Sequence, residues 1–282
     1  MLVLVVTKII LLQIYKAYGC WYIFFQKEKF HLVLSVTPKA GLVSSIASFL
    51  AGIKNRIHFF TGQVWVTKKG IFRFILKSID KLIATLNTNN LIDSHSQKEF
   101  LIKENVILEK KAKILLSGSI SGVDIDKFCI NNEMKIQLQK KYQLNNNEIV
   151  FMFIGRFNID KGILDLVAVF EDLFKEYSNI KLFLIGPDEG NIENEISNFL
   201  ENENVIRIDY VSNPQEILNI ADILVLPSYR EGFGTIVIEA AAMGIACIGS
   251  NIYGLKDAIV DNKTGLLHEV KNKEDMKKKI YQ

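Results

Sequence analysis

Cysteine is scarce in this 282-residue chain: Cys20, Cys129 and Cys247 lie far apart, with no CxxC and no Cys/His cluster. That argues against a disulfide framework or a zinc site and leaves a reducing cytosol as the simplest setting. No GxxxxGK followed by Ser or Thr occurs, so no Walker loop is present. No GxGxxG follows any strand, which sets aside a nicotinamide oxidoreductase. An excess of one charge is also lacking. Thirty-four basic residues face 31 acidic ones, and a net charge of +3 is too small to imply nucleic acid. The chain has no low-complexity tract and no short-period repeat. Its start shows neither a basic leading segment nor a small-residue cleavage site, which argues against a secretory signal.

What is present is a globular composition, 49% hydrophobic and 23% charged, in a length that suits two ordinary domains or one large one. Short apolar runs alternate with helix-length segments almost throughout. "HLVLSV", "RIHFF", "LIDS" and "KILLSG" read as strands in the first half. "EIVFMFIG", "NIKLFLIG", "NVIRID", "ADILVLP" and "GIACIGS" read as strands in the second. Strands buried on both faces and separated by helices form parallel βαβ units. The polar stretch from Asn131 to Asn147 reads as a linker between two Rossmann-like domains, residues 1–145 and 146–282. The opening "MLVLVVTKIILLQIYKAYGCWYIFF" is strongly apolar but carries Lys8, Gln13 and Lys16. A helix packed on a sheet is the favoured reading. A membrane anchor and a helix resting on a membrane surface stay open.

Ligands of open α/β sheets sit at the carboxyl ends of strands, so the loops there carry the functional argument. "FIGRFNIDKG" ends the second domain's first strand. Gly155 permits a tight turn, and Arg156 and Lys161 put two cations beside a helix N-terminus, the makings of a polyanion site. "FLIGPDEG" brings Gly186 to the next strand end, where it can line the same crevice or form an ordinary turn. "PSYREGFGTIVIEAAAMG" places Glu231 in a glycine-punctuated loop and Glu239 on the following helix. The amides of Gly232, Phe233 and Gly234 can point at a ligand. Two carboxylates suit vicinal hydroxyls, and the two cations suit a diphosphate between them.

Arg-x4-Lys-Gly followed by E-G-F-G-x4-E resembles the donor site of retaining glycosyltransferases of family 4, which have the GT-B fold: two Rossmann-like parallel-sheet domains facing a cleft. "GIACIGSNIYGLKDAIVDNKTGLLHEV" is similar to the same family. "TPKAG", "RIHFFTGQVW" and "GSISGVDIDKF" resemble a bacterial subgroup that builds capsule, O-antigen and lipid-linked oligosaccharides. The resemblance implies that residues 1–145 bind the acceptor and lack their first βα unit. Residues 146–282 would bind the donor and lack the family's last helices. It implies that Arg156 and Lys161 neutralise a leaving nucleotide diphosphate and that Glu231 holds the sugar's hydroxyls with help from the Gly232–Gly234 amides. Glu239 would bind the ribose, and Gly254 would lie near the uracil-diphosphate pocket.

The same resemblance implies no cofactor and no metal, a UDP-sugar co-substrate, and a polyprenyl-diphosphate-linked acceptor. It places the enzyme in the cytoplasm, peripheral on the inner face of the bacterial membrane, with Lys68, Lys69, Arg73 and Lys77 either facing anionic lipid or forming a solvated helix face. A nucleotide-sugar 2-epimerase and a binding-only remnant are the alternatives. Where many members have His-Gly, this chain has Thr61-Gly62, and His58 is read as pointing into the core. "DID", Asp124 to Asp126, mimics a metal-binding DxD but falls in a connector.

Overall fold

In the computed structural model the described residues are 19–282. The chain divides at Gly118–Ser119 into two compact units. Each is a parallel-sheet α/β unit, as the alternating pattern predicts.

The first unit pairs β1 (Leu32–Ser35), β2 (Asn55–Phe60), β3 (Asn89–Ile92) and β4 (Ala112–Lys113) in consecutive order, all parallel. Helices Pro38–Leu50, Gly70–Leu86 and His95–Lys103 make the crossovers. Ser94, predicted as strand, instead caps the third of these helices by accepting the Gln97 N–H. "KILLSG" is mostly not strand. Only Ala112 and Lys113 find partners, and the chain then leaves the sheet edge with Leu115 and Leu116 exposed. Residues 19–28 are helical, and Phe25 is buried against Ala47 and Ile53. That part of the apolar start is therefore a helix packed within the first unit; residues 1–18 lie outside the described residues. Among the described residues no helix is long and apolar enough to cross a membrane.

Trp65 anchors the centre of the first unit's core, stacked on Phe100. Its indole N–H donates to Asp80 at 2.8 Å, and both are buried. Burial pushes the Asp80 carboxyl up to about 6, against the opposing pull of the Trp65 hydrogen bond. A folded-state value above the unfolded one means stability is greatest at low pH and is lost as pH rises through about 6. We expect Asp80→Asn, which keeps an acceptor for Trp65, to stabilise the protein above that pH. The gain should reach about 3 kcal/mol, the equivalent of roughly two pKa units. Urea midpoints at acidic and neutral pH check it: an Asn-minus-wild-type difference that does not grow with pH would refute the account.

The second unit has a six-stranded parallel sheet. In chain order its strands are β5 (Ile149–Ile154), β6 (Ile180–Ile185), β7 (Val205–Ile208), β8 (Ile223–Leu226), β9 (Ala246–Ser250) and β10 (Gly265–His268). Their spatial order is β10-β9-β8-β5-β6-β7. The strands are the near-continuous apolar runs of the sequence, and Met152, Phe153, Leu184, Leu224 and Val225 are fully buried. Each such side chain is worth roughly 1.5–3 kcal/mol of burial. β5 pairs with β6 along six positions but with β8 only at Phe151↔Ile223 and Met152↔Leu224. The expected linker is largely the helix Asn132–Lys141, capped by the Asn131 side chain. Leu138, Tyr142 and Leu144 pack on the second unit's core, and the Tyr142 ring lies edge-on to Phe183. The unit division accordingly falls well before residue 145.

Candidate functional site

Because β5 is followed by β6 on one side and β8 lies on its other side, the order of strand addition reverses between β5 and β8 while all strands stay parallel. That is the position where an open α/β sheet forms its ligand crevice, outside the carboxyl ends of the strands. The loops there are residues 155–162 and 227–234.

The two loops are fastened together. Asn158 accepts the Lys161 N–H with its side chain and closes a short turn, Ile159–Lys161. Gly162 follows at φ 70°, and a Cβ there would stand 2.0 Å from the Pro227 carbonyl oxygen. Only glycine lets the chain turn into helix Ile163–Glu176 while touching the opposite loop. Asp160 pairs with Arg230 at 2.8 Å, and Lys161 pairs with Glu231 at 2.5 Å. Neighbouring residues of opposite sign on one loop thus meet neighbouring residues of opposite sign on the other. The Tyr229 N–H donates to the Asp160 carbonyl, and the Tyr229 hydroxyl donates to Asp165 at 2.7 Å.

The Lys161–Glu231 pair is the most sheltered of these, with side chains 18% and 13% exposed. Glu231 Oε1 takes both the Lys161 ammonium and the Ser228 hydroxyl, the latter at 2.8 Å. Among the described residues nothing donates to Oε2. A carboxylate held in this way offers one fixed, open acceptor, and Lys161 retains two further donors for an anion.

The other sequence-predicted residues take different places. Gly232 and the Phe233 side chain are buried, and the Phe233 ring belongs to the core, which leaves only its backbone to meet a ligand. Gly234 caps helix Thr235–Ala242. Gly254 packs beneath this loop; a Cβ on it would lie 2.6 Å from the Gly232 carbonyl oxygen. Glu239 sits on the same helix, partly buried, with no hydrogen bond among the described residues. Burial raises its carboxyl pKa against the pull of Lys127.

Arg156 pairs instead with Glu189 at 2.8 Å, with both side chains about half exposed. An exposed pair of this kind is worth little and exchanges readily for a stronger anion. Gly155 and Gly186 face each other, with Gly186 closing against the Gly155 carbonyl, so Gly186 serves the approach of the two strand ends. Asp188 accepts three backbone N–H groups and shapes an ordinary turn.

The structure therefore couples Lys161 with Glu231, and gives Arg156 and Glu239 other neighbours. Sequence reasoning missed Ser228 and the Asp160–Arg230 pair. The signal was there in the opposed dipeptides Asp160-Lys161 and Arg230-Glu231.

In the first unit the carboxyl ends of β2 and β3 carry a polar network. Gln97 donates to the Thr61 carbonyl and to Gln63, and accepts the Asp93 N–H. His58 is buried as expected, with Nδ1 2.8 Å from the Ser35 hydroxyl, and burial lowers its pKa to about 4. Asp124 accepts the N–H groups of Asp126 and Lys127, so "DID" builds a turn.

Comparison with known proteins places this geometry in context. The model of the family described as glycosyl transferases group 1 matches residues 134–282, just over half the chain. The chain is 35% identical over 249 residues to a capsular polysaccharide biosynthesis glycosyltransferase, CapM, of Staphylococcus aureus, covering 87% of this chain and 65% of CapM. It is 25% identical to the UDP-Gal:alpha-D-GlcNAc-diphosphoundecaprenol alpha-1,3-galactosyltransferase of Escherichia coli, covering 87% and 64%. The chain thus spans about two thirds of the length of these relatives. The crystal structure of Anabaena HepE in complex with UDP-glucose shares the fold, with a TM-score of 0.76 at 16% identity, covering 95% of this chain and 71% of HepE.

Proposed function

Since the chain belongs to the glycosyl transferases group 1 family, we propose that it transfers a sugar with retention of configuration. The donor is a nucleotide sugar carrying UDP, and the acceptor is a polyprenyl-diphosphate-linked or other cell-surface glycan. The observation that carries this reading is the Lys161–Glu231 couple at the sheet's switch point, with Glu231 Oε2 open. The donor and the lipid-linked acceptor named for the E. coli relative, and the capsular role named for CapM, support it.

When the bond from the sugar's C1 to the diphosphate breaks, negative charge grows on the diphosphate. Lys161 stabilises it from a fixed position, and Arg156 joins by leaving Glu189. Glu231 Oε2 accepts from the sugar's hydroxyls, with the Gly232–Gly234 backbone alongside. Glu239, unpaired and raised in pKa, accepts from the ribose diol. The two cations do the work a metal does elsewhere, so the reading requires none. Catalysis takes place on the cytoplasmic face of the membrane.

Arg156→Ala and Glu239→Gln are each expected to reduce radiolabel transfer on the order of 10²-fold. Wild-type turnover from either variant rejects the assignment. Release of free epimerised sugar without acceptor would favour a nucleotide-sugar 2-epimerase instead. UDP binding by calorimetry beside null transfer would mark a binding-only protein.

A further inference from the structure

Among the described residues nothing covers the outer side of helix Gly70–Leu86. Ile71, Phe72, Phe74 and Ile75 are 64%, 69%, 67% and 46% exposed, which puts four large apolar side chains in water within two turns. The basic residues of those same turns point the other way. Arg73 and Lys77 pair with Glu104 at 3.2 and 2.6 Å and lie over the Trp65 ring at 5.0 and 5.6 Å. The first turns of the helix therefore tie their own cations to Glu104 and show an uncharged hydrophobic wedge outward. Scattered apolar residues on a surface are ordinary, but a contiguous cluster of this size is a contact site.

We infer that this wedge inserts into an anionic lipid surface, with Lys68 and Lys69 at its base gripping the headgroups. Both lysines are exposed and immediately precede the helix. Lys39 is exposed at the start of helix Pro38–Leu50, and neither helix has an acid in its first turn. An apolar insert with two exposed lysines at its base and no acid in its first turn complements a negatively charged leaflet. A protein partner fits less well, because protein interfaces are depleted in lysine.

Position supports the same occupant. In a parallel crossover the strand's carboxyl end feeds the helix's amino end, so the wedge, following β2, lies at the ligand-binding end of the first sheet. There it would hold that end against the bilayer in which a lipid-linked acceptor is embedded. Only this placement argument rests on the proposed function.

The test is co-sedimentation of the full chain with phosphatidylcholine vesicles, with or without phosphatidylglycerol, in the absence of donor and acceptor. Binding is expected only where phosphatidylglycerol is present, and it should weaken as salt rises. Lys68→Glu with Lys69→Glu should weaken it by well over tenfold, since each lysine beside an anionic leaflet accounts for roughly fivefold. Phe72→Ser with Phe74→Ser should abolish sedimentation while leaving the melting temperature and UDP binding at wild-type values. A fluorophore on Phe74→Cys, in a chain whose exposed Cys20 and Cys129 are replaced by serine, should shift to the blue on adding anionic vesicles. Failure of the wild type to bind, equal binding by the serine variant, or an unshifted fluorophore overturns the inference. So would a dimer that dissociates on Phe72→Ser, which would make a second copy the occupant. Failure of UDP binding would count against the sugar-transfer reading and leave this one standing.

Discussion

Lys161→Ala is expected to lower kcat/KM for sugar transfer by roughly 10²–10³-fold, the range seen when one preorganised charge donor is removed. Two losses combine. The ammonium that the proposed reaction sets against the leaving diphosphate disappears, and among the described residues Glu231, 13% exposed, keeps only the Ser228 hydroxyl as partner. A partly buried carboxylate without its counter-ion is costly and free to move. Lys161→Arg restores charge but cannot place it at the same point, because a planar fork replaces a compact ammonium. It should therefore recover only part of the rate. Steady-state kinetics with a soluble acceptor decide the matter, with the melting temperature as the control for folding. A variant within tenfold of wild type would remove Lys161 from the reaction.

Gly162→Ala should be among the most disruptive single methyls in the second unit, and the one that acts directly on the paired loops. At φ 70° an alanine pays about 1–2 kcal/mol for the left-handed backbone alone. Its Cβ would also stand 2.0 Å from the Pro227 carbonyl oxygen, a backbone atom that cannot rotate away. The loops must part, and the Asp160–Arg230 and Lys161–Glu231 pairs part with them. We expect more than about 3 kcal/mol of destabilisation together with loss of transfer. Gly244→Ala supplies the comparison. Its φ is 76°, but nothing lies within 4 Å of the added methyl, so it should cost only the backbone term. Equal midpoints for the two variants in urea would show that the loop contact is unimportant.

The second sheet was legible because its strands are unbroken apolar runs, a pattern that only a doubly covered parallel sheet explains. "NIKLFLIG" and "ADILVLP" could be placed almost to the residue. "KILLSG" carried the same signal and misled, since its leucines have no neighbouring strand beyond Asn90 and Leu91 to hold them. The linker misled differently. "MKIQLQKKYQL" is polar enough to read as connection, yet Leu138 and Tyr142 are spaced to dock on Phe183 and its neighbours.

At the site, glycine spacing and strand ends pointed to Lys161 and Glu231. Periodicity contains nothing that pairs Arg156 with Glu189, thirty-three residues away, and nothing that turns Arg73 and Lys77 inward. Those choices depend on which acid the tertiary structure brings within reach. Sequence shows that charges are near a helix face, but not which way they are spent.

The sparse pairing of β5 with β8 has a kinetic meaning. Beyond Phe151–Ile223 and Met152–Leu224 the two strand ends are held less by the ladder than by their loops, through Asp160–Arg230, Lys161–Glu231 and the Tyr229 N–H on the Asp160 carbonyl. They cannot part without separating charges. Residence time of a guest held there is then governed by how tightly those charges hold, not by any breathing of the wall.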